Sequence, residues 1–215
     1  MPETMHTIAA RRTTRVFSSS LPSKKSVDDI LRAAVLAPFG GATGVPLQDI
    51  RRIYVFEPHT LERAKAVEIL YSTIYKNARF MRRMLKVAPF LRRKMSTFSK
   101  RLDAISENGI PGFARGTYYV VAAEKKCFPP VGKQSLAHVM QNMWLAATDK
   151  GFGFQLVSAT GLMSKNHVFM NLLGLLPGRY DLDGCLIGYP ENELSPRQDN
   201  ELPDIVTWFD NSSEN

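Results

Sequence analysis

Three guanidinium groups and two hydroxyls stand side by side in Arg11-Arg12-Thr13-Thr14-Arg15. Arginine's planar fork grips phosphate oxygens two at a time and keeps its charge when partly buried, so this run suits a phosphate-bearing ligand. A second basic stretch, from Lys76 to Arg101, interleaves Met and Phe with Lys and Arg. The excess charge of the chain, formally +8, is concentrated in these two places. Charge alone leaves three partners open: nucleic acid, an anionic membrane or a phosphorylated cofactor. It also leaves open a plain solvated turn for RRTTR.

Other chemistries find little support. Cys127 and Cys185 lie far apart and outside any CxxC spacing, so neither a thiol redox pair nor a cysteine-held metal or cluster is expected. His6, His59, His138 and His167 are scattered without paired spacing or an accompanying carboxylate, and no metal site is expected. Ser158 and Ser164 lack a G-x-S-x-G setting for a hydrolase nucleophile. No GxGxxG follows a strand and no GxxxxGK[ST] occurs, so a bound phosphate must be held by other groups.

The elements that must position these residues can be read from periodicity. At 215 residues the chain suits a single domain with a full core. A short helix over Thr4 to Ala10 runs into the arginines, and a turn follows through Ser18, Ser19, Ser20 and Pro22. SVDDILRAAVLAP reads as a helix capped by Ser26 and closed by Pro38, and FGGATGVP after it as a loop. Ile53 to Glu57 reads as a strand, and Leu61 to Ile74 as a helix that the basic stretch continues to a break at Pro89. Thr117 to Glu124 is a buried strand by its β-branched and aromatic content. SLAHVMQNMWLAATDKG is the strongest helix, with Met143 and Trp144 read as core or, second, as a subunit seam, and with Gly151 at its C-terminal cap. FGFQLVS is a third strand, SKNHVFMNLLG a helix capped by Ser164, and DGCLIGYP a fourth strand. The mixture lacks a βαβ rhythm and favours an α+β fold with a central antiparallel β-sheet flanked by helices in three layers.

Four of these segments, taken in order, resemble the nitroreductase family of FMN enzymes across nearly the whole chain. ARRTTRVF (10–17) looks like the family's RRS-x-R-x-F motif, and ILRAAVLAP is similar to its first long helix ending in Ala-Pro. LAHVMQNMWLAATDKGFGFQLVSA is similar to its central helix, glycine turn and strand, and LIGYP (186–190) is the fourth landmark. The resemblance implies non-covalent FMN, with Arg11, Arg12 and Thr13 at its phosphate and Arg15 at the pyrimidine edge of its ring. It implies backbone amides of Ser158 and Ala159 at the reactive face, and Arg197 closing on the phosphate. It further implies a homodimer with two FMN sites at the interface, residues 191–215 reaching across to the partner. Electrons would pass by a ping-pong route from NADH or NADPH to a small organic acceptor such as a nitroaromatic or quinone, with no side chain acting as acid or base.

One departure bears on the site. The family follows its Ala-Pro helix end with a loop containing Asn and Gln-Pro-Trp; this chain has FGGATGVPLQDIRR, where Gln48 or Thr43 stands in. The family also places a variable helical excursion between its first two strands. Residues 76–112 fall there, as a lid over the active site or, alternatively, as a nucleic-acid or membrane surface. The alternative to the enzyme is a non-catalytic flavin-, nucleic-acid- or membrane-surface-binding protein on the same scaffold. No stretch approaches the roughly 20 apolar residues needed to span a bilayer, and no secretory signal is evident, so a cytoplasmic location is expected.

Overall fold

A computed structural model describes residues 3–39, 44–88, 90, 92–192, 206, 207 and 209, with backbone only for 92–94. Six helices and four strands are assigned among these residues. They are α1 (Glu3–Ala10), α2 (Lys24–Val35), β1 (Arg51–Phe56), α3 (Leu61–Val87), α4 (Arg92–Asn108), β2 (Thr117–Lys125), α5 (Gly132–Asp149), β3 (Gly153–Leu156), α6 (His167–Leu172) and β4 (Tyr180–Gly188). The strands form one antiparallel sheet in the order β1-β2-β4-β3.

Both faces of this sheet are covered. β2 sends Tyr118, Val120 and Ala122 to one face, where α2 brings Val27, Ile30 and Ala34 and α5 brings Val139, Met140 and Met143. Tyr119, Val121 and Ala123 point the other way, against Leu70 and Ile74 of α3 and Phe169 and Met170 of α6. A strand buried on both sides cannot alternate polar with apolar, which is why TYYVVAA is uninterrupted. The result is the expected α+β arrangement: helices, antiparallel sheet, helices.

Local chemistry accounts for most boundaries, with corrections. α2 is capped by Ser23, whose Oγ accepts from Ser26 N at 3.2 Å; Ser26 sits inside the first turn instead of capping it. Hydroxyls three residues apart compete for this position, and Ser23 alone has extended backbone. α6 is capped by Asn166, whose Oδ1 accepts from Phe169 N at 3.0 Å, and Ser164 belongs to the preceding turn. α2 ends at Val35, before Pro38. β1 begins at Arg51, two residues earlier than its apolar run, because Arg51 pairs with Glu124 in the ladder. The long basic helix runs unbroken to Val87 before α4 begins at Arg92; Pro89 itself lies outside the described residues. β3 stops at Leu156, and Ser158 opens a 3-10 helix, Ser158–Met163. Gly151 takes φ +73° after α5, the left-handed conformation of a helix end. Of the apolar LPDIVTWF segment, only residues 206, 207 and 209 are described.

Candidate functional site

The run RRTTRVFSSSLP forms a strap across the end of the sheet where β3 begins, β4 ends and β2 begins. A chain of backbone bonds pins it. Thr14 N donates to Phe154 O at 3.0 Å, Ser18 N to Tyr189 O at 2.9 Å, and Gly116 N to Ser18 O at 3.1 Å. Bridges join Thr13 to Phe154 and Phe17 to Pro190. Phe17 is fully buried in the core on the α3 and α6 side of the sheet, and Tyr118 OH donates to Pro22 O at 3.1 Å where the strap enters α2.

Within the strap the arginines differ. The Arg11 guanidinium carbon lies 4.1 Å from the centroid of the Trp144 ring, a cation–π contact that anchors this side chain on α5. Trp144 Nε1 donates to Arg12 O at 2.9 Å, and the same indole stacks on Phe154 at 5.2 Å. Thus Trp144, a core residue by sequence, also fixes the backbone and side chain of the strap. Arg12 turns Nη1 back onto Ala9 O (2.7 Å) and Arg11 O (2.9 Å), capping the carbonyl end of α1. Thr13 and Arg15 are exposed, whereas Thr14 is buried against Gly153. Among the described residues, Thr14 Oγ1 and Gln155 Oε1 are buried side-chain atoms without a hydrogen-bond partner.

Ser158 and Ala159 lie at the far end of β3. Thr13 bridges Phe154 near the start of β3 and Ser158 follows its end, so strap and turn bracket this one short strand. The leading N–H groups of a 3-10 helix have no partner within that helix and point outward from its N-terminus. The turn is held rigid from below: Thr160 N donates to Val157 O at 2.9 Å, Val157 N to Gly184 O at 2.7 Å, and the buried Tyr119 OH and Thr160 Oγ1 are 2.8 Å apart. Burial raises the Tyr119 hydroxyl well above its ordinary range, so it stays a neutral hydrogen-bonding group.

The remaining predicted positions are less tied. Gln48 is exposed in a short 3-10 turn, Leu47–Asp49, ahead of β1. Thr43 and Arg197 lie outside the described residues. A cavity of about 390 Å³ runs beside β1 and Leu172, and another of about 280 Å³ beside Arg63 and Phe113; neither includes a predicted site residue. No group of three or more potential metal-ligating His, Cys, Asp or Glu occurs among the described residues. Two residues went unread in the sequence. Arg51 and Glu124 form a buried ion pair at 2.6 Å, and Arg51 Nη1 also donates to Ala34 O (2.9 Å) and Ala37 O (2.7 Å), anchoring the chain just before the FGGATG loop. No local signal marks a pair 73 positions apart.

Comparison with known proteins places this geometry. The model of the Nitroreductase family matches residues 8–189. Nitroreductase structures with bound FMN are similar in fold. That of Bacteroides fragilis has a TM-score of 0.69 at 16% identity, covering 98% of this chain and 100% of that one. That of Desulfitobacterium hafniense has a TM-score of 0.67 at 21% identity, with the same coverage. NfrA1 nitroreductase of B. subtilis has a TM-score of 0.60 at 16% identity, covering 97% of this chain and 74% of that one. A search of curated proteins finds no match.

Proposed function

Because the chain belongs to the nitroreductase family, we propose that it binds FMN without a covalent bond and passes reducing equivalents to a small organic acceptor. The observation that carries this reading is the Arg11–Trp144 stack at 4.1 Å, which fixes a cation on the strap beside β3. The B. fragilis and D. hafniense nitroreductases, similar over 98% of this chain, hold FMN, which supports it.

The donor set fits the cofactor. Arg11 and Thr13 meet the phosphate; Arg12, with Nη1 turned to backbone carbonyls, adds charge there. Arg15, which is exposed, would stand at the pyrimidine edge of the ring, where a cation would favour negative charge on reduction. The N–H groups of Ser158 and Ala159 would meet the ring from a turn that Tyr119 and Thr160 stiffen. Gln48, exposed in the turn before β1, would approach the ring, and Arg197, outside the described residues, would close on the phosphate. FMN held there would supply two-electron redox chemistry, with NADH or NADPH as the donor and a nitroaromatic, quinone or similar acceptor taken in ping-pong alternation. No side chain of the chain then acts as acid or base; the protein orients both substrates and excludes water. The functional unit is a homodimer with residues 191–215 reaching across, and its setting is the cytoplasm.

Purified protein is expected to be yellow, to bleach on adding NADH or NADPH, and to bind added FMN tightly after the cofactor is stripped. Arg11→Gln should weaken FMN at least tenfold, as loss of a charge-assisted bond of about 1.5–3 kcal/mol requires. Folded, colourless protein with no affinity for FMN would overturn the proposal.

A further inference from the structure

Between Ile69 and Leu102 the chain carries ten Lys and Arg and no Asp or Glu. The rest, with RRTTR included, holds 18 Lys and Arg against 20 Asp and Glu, so this segment is the larger of the two basic concentrations. Structurally it is an arm. α3 buries Leu70, Ile74 and Ala78, and none of its residues after Ala78 is buried, so its last nine residues extend about 13 Å past the core. α4 runs alongside, tied to it by Arg82 Nε to Asp103 Oδ1 at 2.7 Å.

The solvent face of the arm is patterned. Lys76, Phe80, Arg83 and Val87 recur at i, i+4, i+7 and i+11, opposite the buried stripe of α3. Phe80 is 66% exposed, Val87 87% and Phe90 79%, and Phe98 of α4 is exposed as well. Apolar side chains of this size held in water among cations are costly unless something covers them. We infer that the arm formed by the outer halves of α3 and α4 docks on an anionic lipid surface, with Phe80, Val87 and Phe90 entering the headgroup–acyl boundary and Lys76, Arg79, Arg83 and Lys86 on the lipid phosphates. That combination is what an interfacial helix presents. A nucleic acid would use the phenylalanines for stacking but gains nothing from the aliphatic Val87. A second copy meeting this face with its own would set Lys76, Arg79, Arg83 and Lys86 against the same cations. No described helix is long and apolar enough to cross a membrane, so the association is peripheral.

The test is co-sedimentation of the full chain with vesicles of phosphatidylcholine alone and of phosphatidylcholine mixed in equal parts with phosphatidylglycerol. Binding is expected only to the anionic vesicles and should fall steeply with salt. Lys76→Gln with Arg83→Gln should weaken it about 25-fold, at roughly fivefold per cation near the surface. Phe80→Ser with Val87→Ser should weaken it at least a hundredfold at low salt, since each apolar side chain adds on the order of 1.5 kcal/mol or more on burial. Both pairs are solvent-facing, so unchanged melting temperatures accompany these losses. The inference is overturned by any of four outcomes: no binding to anionic vesicles, equal binding to neutral ones, a single-stranded oligonucleotide bound more tightly than lipid, or dissociation of an oligomer by the Phe80/Val87 variant.

Discussion

Arg51 and Glu124 face each other across the β1–β2 ladder and close a buried ion pair at 2.6 Å, with Arg51 reaching on to Ala34 O of α2 and to Ala37 O just beyond it. One guanidinium thus ties the sheet to the helix that precedes the FGGATG loop. Burial pushes the Glu124 carboxyl up while Arg51 opposes the shift, and its second oxygen, Oε2, has no hydrogen-bond partner among the described residues. Removing one member strands the other: Glu124→Leu should cost about 3–5 kcal/mol in urea denaturation. The double change Arg51→Met with Glu124→Leu should recover most of that loss. Equal destabilisation by the single and double variants would show that the pairing itself contributes nothing.

Trp144→Phe keeps a ring beneath Arg11 but deletes the donor to Arg12 O. A neutral hydrogen bond contributes about 1 kcal/mol, so FMN affinity should fall about fivefold with a smaller change in melting temperature. Fluorescence titration of FMN reads this directly, and unchanged affinity would detach Trp144 from the site.

A Cβ on Gly116 would lie 2.4 Å from Ser19 O and 2.5 Å from Ser20 O, both backbone atoms. The strap must then lift, so Gly116→Ala should destabilise the fold by about 1–3 kcal/mol. Because the same strap carries Arg11 and Arg15, FMN affinity should fall in parallel. A variant as stable as the parent would mean that the strap is not pressed against β2 in solution.

Asp183 is partly buried, and desolvation raises its carboxyl above the usual 3.8 despite the bond from Gly184 N at 2.8 Å. The folded state therefore holds this proton to higher pH than the unfolded chain does, and stability drops as pH rises through the window just above 3.8. Asp183→Asn retains an oxygen acceptor for Gly184 N and removes the penalty. It should flatten the stability–pH profile there and exceed the parent in stability at neutral pH. Superimposable profiles would contradict this.

The two candidate caps of α6 separate cleanly. Asn166→Ala should lose about 1 kcal/mol, because Phe169 N loses its acceptor at the helix that seats Phe169 and Met170 in the core. Ser164→Ala should change little, and the reverse order would reassign the cap.

Much of this protein was readable from residue order alone. Uninterrupted TYYVVAA announces a buried strand, and the stripe of Leu136, Val139, Met140 and Met143 announces α5, because periodicity and β-branched content are local properties. What no local pattern determines is which distant groups meet. Trp144 under Arg11, Tyr119 on Thr160 and Glu124 on Arg51 are separated by 41 to 133 positions, and their partners are selected by sheet order and by the layers packed on it. Caps shifted for a related reason: Ser23 and Ser26, or Ser164 and Asn166, satisfy the same motif, and only the backbone entering each helix chooses between them. The basic arm shows the division most plainly, since its charge is written in the sequence while its reach past Ala78 exists only once the core has closed on α3.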